Sequence, residues 1–310
     1  MKRFFGFLTA AFVSLSFCGA LSAADYDGSS IEWKLDAGLE GERFEKAMEE
    51  RREAGMRLVD FEQYRSGRVT KQAAIWVKSM PSDEWESKKE LSFVEFKKAH
   101  EEATKRGFVI VDVEADRSGA TLHFGGVWLK SNEGFDTAMQ FGMSELMFSN
   151  RYGEMADRGY RLIDFEAYEA NGKVAYAAIW KPKLAEESSR FYRGLDKEVF
   201  GRVSATMLSE GFRLTDIEGY YVEDVLTFAC GWVSLEETQQ SDFSYHMMAD
   251  EFYQLNANMM MEGYRLTDLE AYDIGRGELR YAGSWTIGEE RVEAEPIAAV
   301  RKRDIFKRPN

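Results

Sequence analysis

Gly159-Tyr-Arg-Leu-Ile-Asp-Phe-Glu-Ala-Tyr168 is answered 52 residues later by Gly211-Phe-Arg-Leu-Thr-Asp-Ile-Glu-Gly-Tyr220. The opening glycine recurs at Gly55, Gly107, Gly159, Gly211 and Gly263. A tryptophan follows each at Trp76, Trp128, Trp180, Trp232 and Trp285, the last interval longer by one residue. Fixed self-similarity of this length specifies a repeat architecture, in which each unit buries its apolar face on its neighbours.

Within a unit the phrase is preceded by a helical pattern. Phe44, Phe96, Phe148, Phe200 and Phe252 keep the beat, and Met248, Phe252, Leu255 and Met259 lie on one face at helical period. The repeated glycine suits a left-handed C-terminal cap. Two strands follow, joined by a tight turn that is clearest at Asn171-Gly172, with weaker counterparts at Ser66-Gly67 and Ser118-Gly119. The returning strand ends in two small residues, one variable residue and the tryptophan, as in Ala177-Ala178-Ile179-Trp180. Cys230 holds one of the small positions and reads as a core filler.

The pattern predicts an α+β fold of five tandem helix–β-hairpin repeats of about 52 residues, arranged as a pseudo-fivefold ring or a curved array. The repeats span approximately 37-80, 89-131, 140-183, 191-235 and 242-288 of a domain over 25-288. The polar stretches Met80 to Lys89 and Ala185 to Ser189 read as surface connections. Open arrays need polar end units, yet the first and fifth look as complete as the rest. A ring would remove both ends, with a short strand around Ile31 to Leu35 completing its seam.

Residues 1-24 read as a secretory leader: Lys2 and Arg3, an apolar run from Phe4 to Phe17, then Ser22-Ala23-Ala24 before Asp25. The expectation is an exported protein, periplasmic or secreted, with a flexible tail over 289-310 that ends in basic residues. No later segment has the apolar length of a membrane span. The net charge of −14 disfavours nucleic acid as a partner. Beyond the leader only Cys230 remains, so stability rests on packing rather than an internal disulfide.

The phrase from Gly159, the aromatic hairpin and Tyr176-Ala-Ala-Ile-Trp180 together resemble the bacterial tandem repeat domain. That repeat also forms the N-terminal region of polyglycine hydrolases, ahead of a serine β-lactamase-like domain. The resemblance covers all five units and implies an α+β repeat module of secreted proteins that recognises substrate or partner. The hydrolase chemistry does not transfer, since no Ser-x-x-Lys motif with its usual partners is present.

One constellation carries potential chemistry. Asp60 and Glu62, Asp112 and Glu114, Asp164 and Glu166, Asp216 and Glu218, and Asp268 and Glu270 recur in register. At alternate strand positions both carboxylates of a unit share a face. Converging around an axis, they could hold calcium or a cationic ligand, or raise one another's pKa as acid–base catalysis requires. Alternatively they are fold determinants, Asp tying its strand to a neighbouring amide and Glu pairing with Arg57, Arg161, Arg213 or Arg265. The second unit lacks that arginine, having Val109, and Asp116 stands where Tyr64, Tyr168, Tyr220 and Tyr272 recur. With Gly125-Gly126 beside it, Asp116 marks either a specialised surface or drift.

His100, His123 and His246 have no partners at zinc spacing, and His246 is expected to begin a helix. No catalytic residue, metal site or cofactor is assigned beyond the calcium option. The expected function is an exported, non-enzymatic binding or scaffold repeat protein recognising a protein, peptide or glycan. The alternative is a hydrolase or hydrolase accessory subunit using the Asp-x-Glu carboxylates.

Overall fold

The computed structural model describes residues 31–67, 69–79, 84–118, 121–131, 136–235, 239–275 and 277–287. The expected leader, the tail over 289-310 and Gly119 of the second turn lie outside them.

Each unit is a leading strand, a helix and a hairpin. The first is β1 (Trp33–Leu39), α1 (Gly41–Glu53), β2 (Met56–Ser66) and β3 (Val69–Lys78). The second is β4 (Trp85–Leu91), α2 (Phe93–Lys105), β5 (Phe108–Ser118) and β6 (Thr121–Lys130). The third is β7 (Ala138–Met143), α3 (Glu145–Asp157), β8 (Tyr160–Ala170) and β9 (Lys173–Pro182). The fourth is β10 (Ser189–Leu195), α4 (Lys197–Ser209), β11 (Phe212–Val222) and β12 (Val225–Ser234). The fifth is β13 (Gln240–Met247), α5 (Ala249–Met261), β14 (Arg265–Asp273) and β15 (Leu279–Ile287). Every sheet is antiparallel and three-stranded, with the returning strand in the middle, as in β1-β3-β2.

The leading strand corrects the sequence reading. Trp85-Glu-Ser-Lys-Lys-Glu-Leu91 falls largely in the expected connection Met80 to Lys89, yet it pairs with β6 from Trp85 opposite Leu129 onward. Edge strands face water along one side and commonly carry lysine and other charge, which disguises them as linkers. The strand expected near Ile31 exists as β1; it pairs with β3 of its own unit, and its Trp33, Leu35 and Ala37 pack on the core of Phe252 and Trp285 of the fifth unit. Its irregularity before Leu39 recurs in every unit, with positive φ at Gly38, Glu90, Gly142, Gly194 and His246. His246 therefore lies in a strand irregularity, and Met248 is the exposed residue before α5 rather than part of its buried stripe.

The helix-ending glycines adopt positive φ, 79° at Gly159 for example, and Tyr160 after it is buried. In the turn, Asn171 and Gly172 are both left-handed, as a two-residue hairpin demands. The fourth unit makes the same turn with Glu223 and Asp224, at φ 48° and 63°. Asp224→Gly is expected to stabilise the protein by about 0.5–1 kcal/mol, since glycine adopts that conformation without the Cβ clash. Urea denaturation of the two proteins checks this.

The small residues of the returning strand serve two neighbours in alternation. Ala74, Gly126, Ala178, Cys230 and Gly283 face their own helix: a methyl added to Gly126 would lie 3.1 Å from Phe96 and 3.0 Å from Trp128. The residue before each faces the preceding unit. A methyl on Gly125 would lie 3.2 Å from Phe61, and Ala177 and Ile179 pack into the core around Phe96 and Trp128. The outgoing strands continue this contact, β2 on β5, β5 on β8, β8 on β11 and β11 on β14, and β14 packs on β2. At that last contact Tyr64, Ala73 and Ile75 of the first unit join the core of Phe252 and Trp285.

Candidate functional site

A second irregularity positions the carboxylate row. Leu58 pairs with Trp76, but the next register partner of Ile75 is Asp60, leaving Val59 as an extra residue. The same step occurs at Val111, Ile163, Thr215 and Thr267. A bulge of this kind re-aims the residues beyond it. Leu58 and Phe61 then pack beneath Phe44, while Asp60 and Glu62 take the face of Ala73 and Ile75, toward the neighbouring unit.

The carboxylates reach the backbone of the unit before them. The Val113 amide donates to Asp164 Oδ2 at 3.0 Å. Asp60 accepts from the Leu269 amide, Asp112 from Phe61 and Asp216 from Phe165. Each donor directly follows the aspartate of its own unit, so the bonds form a relay that includes the step from the fifth unit to the first. The glutamates do likewise two residues on: Ala167 donates to Glu218 Oε1 at 3.3 Å and Gly219 to Glu270 Oε1 at 3.0 Å. Glu62 and Glu270 hydrogen-bond to each other, an arrangement that requires a shared proton.

Eight of the ten side chains are buried and Asp60 and Asp164 half-buried. Burial pushes every one of these carboxyls above its ordinary range, and for most of them repulsion from neighbours in the row adds to it. Asp60 is raised to about 8, its bond to the Leu269 amide opposing the rise. Among the described residues, no group of three or more His, Cys, Asp or Glu side chains is arranged to hold a metal ion.

In the third unit the repeated arginine has a further carboxylate beside it. Arg161 pairs with Glu187 at 2.5 Å, in the connection before β10, and donates to the Leu162 carbonyl. Arg161, opposite Lys181, lies on the same strand face as Asp164 and Glu166, which stand opposite Ile179 and Ala177.

The remaining candidates resolve into packing. Tyr64, Tyr168, Tyr220 and Tyr272 are buried, and burial raises the Cys230 thiol to about 12, so it stays a thiol at neutral pH. His100 accepts from Trp128 Nε1 at 3.2 Å, and burial lowers its pKa. Asn256 plays the same part for Trp285 at 2.9 Å, a pairing hidden in the sequence because the two helix positions hold different residue types. No helix among the described residues is long and apolar enough to cross a membrane.

A family model described as the polyglycine hydrolase-like structural repeat matches residues 30–79, 82–131, 136–183, 188–234 and 243–286. The chain belongs to that family, as five consecutive copies of its repeat. No curated protein matches it.

Proposed function

We propose that the chain is an exported, non-enzymatic binding or scaffold protein whose five units close into a pseudo-fivefold ring, presenting a rigid surface to a protein, peptide or glycan. The observation that carries this reading is the amide–carboxylate relay, which runs from unit to unit and from the fifth to the first. In it the Asp-x-Glu pairs bind neighbouring backbone rather than waiting for substrate. Repetition supports the same reading, because catalysis needs one asymmetric site.

Asp164→Ala leaves the Val113 amide without its acceptor and is expected to cost about 1–3 kcal/mol, whereas Asp164→Asn keeps an acceptor and costs much less. Equal, negligible effects of both would overturn the structural role. The alternative, a hydrolase or accessory subunit that uses calcium, draws on the unpartnered Oδ2 atoms of Asp60, Asp112, Asp216 and Asp268. It predicts a melting temperature that rises with millimolar calcium and falls with chelator; the scaffold reading predicts indifference to both. Export is checked by fractionating cells and sequencing the N-terminus, which should begin at Asp25.

A further inference from the structure

The five seams between units provide an internal comparison. Four are closed by a perpendicular aromatic pair, one ring from each unit: Phe124–Tyr168 at 5.3 Å, Tyr176–Tyr220 at 6.1 Å, Phe228–Tyr272 at 5.3 Å and Tyr281–Tyr64 at 5.9 Å. At the seam between the first and second units both partners are polar, Gln72 and Asp116. A third position changes with them. Leu35, Met139, Phe191 and Phe243 occupy one register site of the leading strand, opposite Ile75, Ile179, Gly231 and Ser284; Ser87, opposite Val127, is its counterpart.

Phe191 shows what that site normally holds. Its ring lies 5.5 Å from Phe148, 5.7 Å from Tyr152 and 5.0 Å from Phe165. The counterparts of those three are Phe44, Met48 and Phe61. Here, with Ser87 in place of the phenylalanine, the same residues line a cavity of about 300 Å³ together with Leu58 and Leu91. That volume is at the lower end of the range of small-ligand sites, and the lining is apolar over most of its area, with Glu45, Ser87, Lys88 and Lys89 as its polar members.

The polar groups stand together at one side. Lys89 Nζ lies 2.6 Å from Glu45 Oε1, 3.2 Å from Gln72 Oε1 and 4.7 Å from the Phe44 ring centre. Gln72 donates to Gln63 at 3.0 Å, and Gln63 to Asp116 at 3.3 Å. The two replaced aromatic positions are thus tied into a hydrogen-bonded chain that ends on the lysine, rather than left as a loosened core.

We propose that this seam is a binding site for a ligand carrying a phenyl-sized apolar group next to a carbonyl or carboxylate, the phenyl taking the place Phe191 fills elsewhere and the oxygen facing Lys89 and the Ser87 hydroxyl. The proposal deepens the binding reading above by giving recognition one asymmetric place. A free aromatic acid and an aromatic residue of a peptide share this chemistry.

The experiment is calorimetric titration of the full chain with N-acetylphenylalanine, N-acetylphenylalaninamide and N-acetylalanine. Saturable binding of the phenyl probes is expected, weakened at least about tenfold for N-acetylalanine and for the protein with Ser87→Phe, whose ring fills the cavity. That variant should also melt higher; if it fails to fold, Ser87→Leu, the size of Leu35, replaces it. Tighter binding of the acid than of the amide identifies a free carboxylate as the head group, and equal binding a peptide carbonyl. No saturable binding of either phenyl probe, or binding unchanged by filling the cavity, overturns the proposal. With calcium-indifferent melting it would leave the scaffold reading standing, whereas calcium-dependent melting with intact probe binding would do the reverse.

Discussion

The protein is expected to lose stability steadily as pH rises from about 5 to about 9, the opposite of the usual behaviour of a chain rich in carboxylates. The sign follows from the direction of the shifts. The carboxyls of the row have folded-state pKa values raised above those of the unfolded chain. The native state therefore holds more protons at neutral pH, and its advantage is fully present below the unfolded values. It is lost as pH climbs through the folded ones, near pH 8 for Asp60. Each retained proton contributes about 1.4 kcal/mol per pH unit across that window. Even one such proton, over three units, accounts for about 4 kcal/mol, a large part of an ordinary domain's stability. Urea unfolding at pH 5, 7 and 9 measures it, and a flat profile would contradict it. Replacing Asp164 by Asn should flatten the slope.

The second large effect concerns the contact between the fifth and first units. Ile75 has no exposed surface and packs into the core of Phe252 and Trp285, as Ile179 packs into the core of Phe96 and Trp128. In the proposed ring these two residues are equivalent. Ile75→Ala and Ile179→Ala should each destabilise the protein by about 2–5 kcal/mol, the cost of a buried isoleucine truncated beside a partly relaxed cavity. An open array would leave Ile75 at a free end, where the same change costs little. Equal losses at the two sites support the ring, and a loss confined to Ile179 would contradict it.

Much of the unit was legible in the sequence for physical reasons. The glycine at 159 marks a left-handed helix end, Asn171-Gly172 a tight turn, and the small pair before Trp180 a close approach, and all three depend on local geometry. The leading strand was not legible, because Trp85 to Leu91 is an edge strand whose charges look like a linker. The bulge at Val59 was hidden as well. One extra residue between Leu58 and Asp60 leaves an apparent alternation intact while reversing which face the carboxylates take. At the first seam Asp116 stood out beside its tyrosine counterparts. Gln72 and Ser87 lie 44 and 29 positions earlier, and only the fold sets them around one cavity.

The measurement closest to the central claim is a carboxyl ¹³C titration of the folded protein, with Asp and Glu side chains labelled. The claim predicts that several resonances of the Asp-x-Glu row, Asp60 among them, still report protonated carboxyl groups at pH 7 and titrate only above it. If all ten titrate as ordinary exposed carboxylates, near pH 4, the row is not the buried, proton-sharing joint between units described above.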